Sequence, residues 1–163
     1  MPIDQHLAAI PALRHQEVSI RPMQSADLAV VIELDARVFG KSRTAYFERR
    51  LAALEHLATG NHLIFLVAVY RGEVVGFVMG TLASGEFGLP QVTAIVDSIA
   101  VHPHYQRQHI GQRLIESFLS QSTSLGAKAA YTLVQWENWE LLKVFHALGF
   151  SLASTIPLER QIG

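Results

Sequence analysis

This sequence predicts an α/β fold of the α+β kind, with helices flanking one mixed, mostly antiparallel sheet. Two apolar, β-branched runs at 63–70 and 74–82 are separated only by Arg71-Gly72-Glu73, the spacing of an antiparallel hairpin. A strand pattern at 93–101, a helical pattern at 110–125 and a strand pattern at 129–135 make one crossover. Such a crossover should be right-handed and its strands parallel. Ahead of the hairpin, apolar residues recur at helical spacing in two segments.

The elements follow in turn. Residues 1–16 read as an N-terminal arm, and one domain spans 17–163. Val18, Ile20 and Pro22 alternate with polar residues, which gives a first strand at 17–22. Ser25 offers an N-cap, and Leu28, Val31, Ile32, Val38 and Phe39 keep helical spacing up to Gly40. A second helix spans 44–58 on Tyr46, Phe47, Leu51, Leu54 and Leu57, and Gly60-Asn61 ends it. Its charges, Arg43, Glu48, Arg49, Arg50 and Glu55, read as a solvated face. The stretch 83–92, ASGEFGLPQV, is a loop, and the apolar strand 93–101 is interrupted by Asp97 and Ser98. Ile110, Leu114, Ile115, Phe118, Leu119 and Leu125 make the apolar face of the next helix, which Gly126 closes. The strand at 129–135, a shorter helix at 139–148 ending at Gly149, and a last strand at 151–158 complete the order.

With 163 residues, half of them hydrophobic, the chain can bury one core of ordinary size. A formal charge of −1, from 13 Lys and Arg dispersed among 14 Asp and Glu, leaves no basic stripe, so nucleic acid is not an expected partner. The absence of cysteine removes disulfides, thiolate catalysis and Cys-ligated zinc. The longest apolar runs are strand-sized, well short of the ~20 residues that cross a bilayer, and the first residues lack the pattern of a signal peptide. A cytoplasmic protein without membrane association is expected. His102, His104 and His109 lack a third ligand at tight spacing and a carboxylate beside them, so no metal is expected.

The most informative stretch is 101–114, VHPHYQRQHIGQRL, in which a strand end and a Pro-containing turn run through a polar loop into an amphipathic helix. Such a junction collects unpaired N–H groups and the positive end of a helix dipole, a setting suited to a phosphate or pyrophosphate. The same pattern also fits an ordinary strand-to-helix turn.

The order of elements, the strand DSIAVHP, the loop QRQHIG opening a helix, and the later NWELLKVFHALGF together resemble the GCN5-related N-acetyltransferase (GNAT) family over about residues 17–160. That family's pyrophosphate loop reads Gln or Arg, two free residues, Gly, one free residue, Gly or Ala. Here Gln106 fills the first place and Gly111 the last, while His109 stands where Gly is usual. The resemblance implies the acyl-CoA N-acyltransferase fold, with acetyl-CoA as cosubstrate and its diphosphate on Gln106, Arg107, Gln108, His109, Ile110, Gly111 and Gln112. A β-carbon at His109 fits if the ring swings outward; pointing inward, the imidazole would donate a hydrogen bond to a phosphate. The resemblance further implies a bulge that splays the 93–101 strand from 129–135. The pantetheine arm would then pair with backbone groups of Ile99, Ala100 and Val101.

Acetylation of an amine needs a base, and Asp97, in an otherwise apolar strand, is the first candidate. Its other reading is a carboxylate satisfied by local backbone or an arginine. Glu137 and Glu33 are weaker candidates. The family's Tyr that protonates the departing thiolate, four residues before Gly149-Phe150, is replaced by Phe145, leaving water, His146 or Tyr131 as donors. Asn138 either bonds the pantetheine arm or caps the helix at Trp139. Trp136 and Trp139 either line an acceptor pocket or pack in a core or interface, and Tyr46 and Phe47 lie where relatives border the acceptor.

The resemblance therefore implies an acetyl-CoA-dependent N-acetyltransferase that transfers acetyl directly to a primary amine of a small molecule or peptide. The rival is a catalytically weak acyl-CoA-binding or sensor domain, which His109 and Phe145 favour. Pairing or exchange of the last strand with a second subunit would make a homodimer.

Overall fold

The computed structural model describes residues 17–55, 62–84, 88 and 90–163. The expected arm at 1–16 and the helix end at Gly60-Asn61 lie outside them. Two compact units divide the chain, one through Leu133 and one from Val134.

In the first unit the strands are β1 (Val18–Pro22), β2 (His62–Tyr70), β3 (Glu73–Ser84), β4 (Val92–Val101) and β5 (Ala129–Thr132). They form one sheet in the order β1-β2-β3-β4-β5, antiparallel as far as β4. The β4–β5 pair is parallel, as the crossover through α3 (Ile110–Ser124) requires. Helices α1 (Leu28–Phe39) and α2 (Thr44–Glu55) precede the hairpin, whose turn is Arg71-Gly72 with φ of 50° and 84° and with Tyr70 paired to Glu73. Both central residues at positive φ match the strands' own twist.

The sheet separates two apolar layers. On one face Val31 and Leu34 of α1 and Phe47 of α2 pack with Phe65, Val67, Phe77, Met79 and Ala100. Phe47 is fully buried, its centroid 5.7 Å from Phe77 in edge-on contact and 6.3 Å from Phe65, so it belongs to the core and not to an acceptor surface. On the other face α3 buries Ile110, Leu114, Ile115 and Phe118.

One irregularity positions the site. Met79 pairs with Ser98 and Gly80 with Val96, so Asp97 is an extra residue on β4, a β-bulge. Gly80, opposite the bulge, touches the α3 layer so closely that a Cβ there would lie 2.2 Å from the Ile95 carbonyl oxygen and 2.7 Å from Phe118. β4 pairs with β5 only from Thr93 to Val96, and the Thr132 hydroxyl donates to the Val96 carbonyl at 3.1 Å, closing the ladder there. This is why β5 is shorter than the expected 129–135.

The second unit holds α4 (Trp139–Ala147), capped by Asn138, whose Oδ1 accepts from the Leu141 N–H at 3.2 Å. Phe145 packs edge-on against Phe150, with centroids 4.9 Å apart. The strand expected at 151–158 is absent, and 151–163 are exposed and irregular. The chain bends at Ser154-Thr155 and Pro157 offers no N–H, so the run lacks a continuous ladder edge.

Because the space at Gly80 is bounded by backbone and an aromatic ring, Gly80→Ala should cost about 1–3 kcal/mol or more. A urea titration should show the midpoint falling with an unchanged slope.

Candidate active site

Beyond Val96, residues 98–101 of β4 pair with β3 on one side and, among the described residues, with no strand on the other. Strand residues alternate in direction, so part of the Ser98–Val101 backbone is presented to the open side. Ile99, Ala100 and Val101 lie beyond the last β4–β5 pair, on the stretch of β4 that within the first unit pairs with β3 alone. This stretch is in contact with the loop that follows. A Cβ placed on Gly111 would sit 3.7 Å from Val101 Cγ2 and 3.9 Å from Ile99 Cδ1.

The loop is built by hydrogen bonds local to the strand end. His102 donates its N–H to the Val75 carbonyl at 2.8 Å, and its Nδ1 accepts from the His104 N–H at 3.2 Å, capping a short 3-10 turn over Pro103–Tyr105. Gln106 turns its side-chain amide back to the Val101 carbonyl at 3.0 Å. Arg107 and His109 then adopt positive φ, 59° and 60°, and Gln108 between them does not. Alternation of this kind turns successive N–H groups toward one side, the geometry of an anion-binding nest.

His109 occupies a left-handed conformation that glycine adopts without cost, and its ring lies on the exposed side of the chain. Its Nδ1 is 3.2 Å from Gln112 Oε1, and Gln112 in turn donates to Glu116 at 3.2 Å. Because an amide oxygen only accepts, Nδ1 carries the proton in this arrangement. The His109 side chain makes no capping bond to α3, and the N–H groups of Ile110, Gly111 and Gln112 have no acceptor within the helix. Gly111 has ordinary φ, and a Cβ on it would meet only normal van der Waals distances. The fold does not demand glycine there; its smallness leaves room on the outside.

At the bulge, Asp97 and Ser98 both turn toward α2 and the residue before it, though neighbours in a regular strand face opposite ways. Arg50 Nη2 donates to Asp97 Oδ2, and Arg43 donates to Ser98 Oγ at 3.2 Å. Arg43 also forms a two-pronged pair with Asp35 of α1, at 2.9 and 2.5 Å, with the Asp35 side chain wholly buried. The Arg43 guanidinium stacks 3.8 Å from the Phe39 ring centroid. Burial lifts the Asp97 carboxyl above the ordinary carboxylate range, and Arg50 draws it part of the way back. Burial opposes the Arg50 charge too, but the Tyr46 hydroxyl and Asp97 more than offset it.

A strand that outruns its parallel neighbour beyond a bulge thus leads into a loop with two left-handed residues at a helix start. The model of the acetyltransferase (GNAT) family matches residues 28–150. The chain belongs to that family, and it is an acyltransferase. Among curated relatives, an N-alpha-acetyltransferase of Sulfurisphaera tokodaii is 28% identical over 145 residues, covering 85% of this chain and 83% of that one. One of the same name from Saccharolobus solfataricus is 26% identical, covering 83% and 81%. Among solved structures, the aminoglycoside N-acetyltransferase AAC(6')-Iy in complex with CoA superposes with a TM-score of 0.72 at 21% identity, over 93% of this chain and 98% of that one.

Two features of this acetyltransferase differ from the sequence expectation. Arg43 and Arg50 are not on a solvated face but turn inward. They share a helical stripe with buried Phe47, at spacings of i, i+4 and i+7, and that spacing was the available signal. Asp35 likewise lies one turn after fully buried Val31. Glu33 pairs with Arg37 on the exposed side of α1 at 2.6 Å. Among the described residues no group of three or more His, Cys, Asp or Glu could hold a metal ion, and no helix is long and apolar enough to cross a membrane.

Two outcomes are expected. Gly111→Ala, at an open helical position, should leave stability unchanged or raise it by up to about 1 kcal/mol. Asp35→Ala should cost about 3 kcal/mol or more, because it strands the Arg43 charge in a largely buried site. Both are read from denaturant midpoints.

Proposed function

We propose that this protein transfers an acetyl group from acetyl-CoA directly to a primary amine, with no covalent enzyme intermediate. The observation that carries the reading is the conjunction at the end of β4, where the stretch 98–101, beyond the last pair with β5, leads straight into a loop with Arg107 and His109 at positive φ and the start of α3. A diphosphate on the loop and an extended amide-bearing arm along the edge would use both surfaces at once. Gln106, Arg107, Gln108, His109, Ile110, Gly111 and Gln112 receive the diphosphate in this reading, and Ile99, Ala100 and Val101 receive the arm.

In the transfer step the neutral amine attacks the thioester carbonyl, the C–N bond forms, and the carbonyl oxygen becomes an oxyanion beside the strand's N–H groups. The intermediate loses a proton from nitrogen to Asp97, directly or through water. The C–S bond then breaks with its electron pair going to sulfur. Phe145 carries no proton to give, so the thiolate, of solution pKa about 8.5, leaves as the anion or takes a proton from water. The names of the curated relatives make the α-amino group of a peptide the first acceptor to test, and the solved aminoglycoside enzyme makes an aminoglycoside the second. Cytoplasmic residence belongs to the same proposal.

The test is release of CoA thiol from acetyl-CoA against a panel of peptides and small amines, alongside calorimetric binding of CoA. Turnover with at least one acceptor is expected; tight CoA binding without turnover over the whole panel would establish the sensor reading instead. Asp97→Asn should lower kcat by about a hundredfold while leaving CoA affinity in place, and equal rates at every pH would remove Asp97 as the base. Gly111→Trp should weaken CoA binding by about tenfold or more with the Tm maintained, and unaltered affinity would refute the loop assignment.

A further inference from the structure

Three arginine–aspartate pairs anchor the first unit, and they are not alike. Arg21 meets both carboxylate oxygens of Asp27, at 2.6 and 3.0 Å, and Arg43 meets both of Asp35, at 2.9 and 2.5 Å. Arg50 meets only Oδ2 of Asp97. Oδ1 of Asp97 has no hydrogen-bond partner among the described residues, and no partnerless side-chain oxygen among them is fully buried, so Oδ1 reaches solvent. A two-pronged pair in a dry site is a strut. A one-pronged pair leaves lone pairs on the second oxygen that can take a proton.

We infer that Arg50 is a positioning residue for the acetyl transfer: its guanidinium tethers Asp97 by one oxygen at the bulge and keeps the carboxylate ionised, so that the other oxygen stands ready to accept the proton of the attacking amine. The inference rests on the reading of Asp97 as the base. Arg50 is suited to the task by its place. Its side chain is 30% exposed, that of Asp97 17%, and its guanidinium is steadied by Tyr46, with Cζ 5.7 Å from the ring centroid. The other charged and titratable groups near the bulge are Arg43 and Asp35, which close on each other beside Ser98, and Tyr46 on α2. From β5 the register neighbours of the bulge are Tyr131, opposite Ile95, and Thr132, opposite Val96. Arg50 is thus the cation in direct contact with Asp97, and burial alone would otherwise favour the protonated acid.

The test compares wild type, Arg50→Gln and Arg50→Lys, with Arg50→Met replacing the first if it does not fold. Two readouts are taken on each full-length variant. One is the pH profile of kcat/KM with a single acceptor, whose own ionisation is common to all. The other is the carboxyl carbon titration of Asp97 by NMR, assigned against Asp97→Asn. Loss of the cation should raise the Asp97 titration and the acid limb of the profile together, by about one pH unit or more. Arg50→Lys should bring both back toward wild type. A folded Arg50→Gln or Arg50→Met protein whose Asp97 titration does not move overturns the inference. If the titration moves and the kinetic limb stays, Arg50 does control the Asp97 charge, but Asp97 is not the base, and it is that reading which fails. A merely structural role would change KM or Tm and leave both titrations where they were.

Discussion

The single extra residue in β4 is the constraint on which the site depends. A bulge adds one residue to one strand, so two neighbours that would face opposite sides of the sheet face the same one. Here it delivers Asp97 to Arg50 of α2 and Ser98 to Arg43, the residue just before that helix. The same irregularity ends the pairing of β4 with β5 at Val96 and leaves residues 98–101 with an unpaired edge. It also fixes the opposite position, because the distorted strand and Phe118 leave no room for a β-carbon at Gly80. The arginine contacts, the end of the β4–β5 pairing and the tight seat on α3 thus meet at one local insertion.

The loop after β4 reaches its geometry without the usual glycine. His109 sits at φ 60°, a conformation that costs an L residue roughly 1–2 kcal/mol. The ring recovers part of that through Gln112 on the exposed side. Gly111 lies against Val101 and Ile99 at distances that would admit a β-carbon, so its smallness bears on the outside of the loop and not on this packing. At His109 the left-handed backbone is kept and the strain of a β-carbon is borne there.

Much of this was legible in the sequence. Strands and helices announced themselves by period, and the crossover from β4 to β5 followed from the handedness of connections. The odd placement of Asp97 in an apolar strand marked it as a group needing an explanation. What could not be read was its partner, since Arg50 is 47 residues away and no local rule links a helix charge to a strand carboxylate. The failed strand at 151–158 has the complementary cause. Its apolar alternation is a local signal, whereas a strand exists only where a second backbone can pair with it, and a bend with a proline interrupts that edge.

The two departures from the family's usual residues bear unequally on the proposed chemistry. When an amine has added to a thioester, the intermediate can expel either the amine or the thiolate. While nitrogen keeps its extra proton the amine is a good leaving group, and the adduct falls back to starting material. Once that proton is gone, nitrogen would have to leave as an amide anion, a far stronger base than a thiolate of pKa about 8.5. Removal of the proton therefore commits the intermediate to product, and protonation of sulfur comes after the decision. A chain with Phe145 in place of a phenol loses a convenience in the second step, whereas a chain without a carboxylate near the free edge would lose control of the first. The electrostatics are weighted accordingly, with an arginine, a tyrosine hydroxyl and a desolvated aspartate gathered at the bulge.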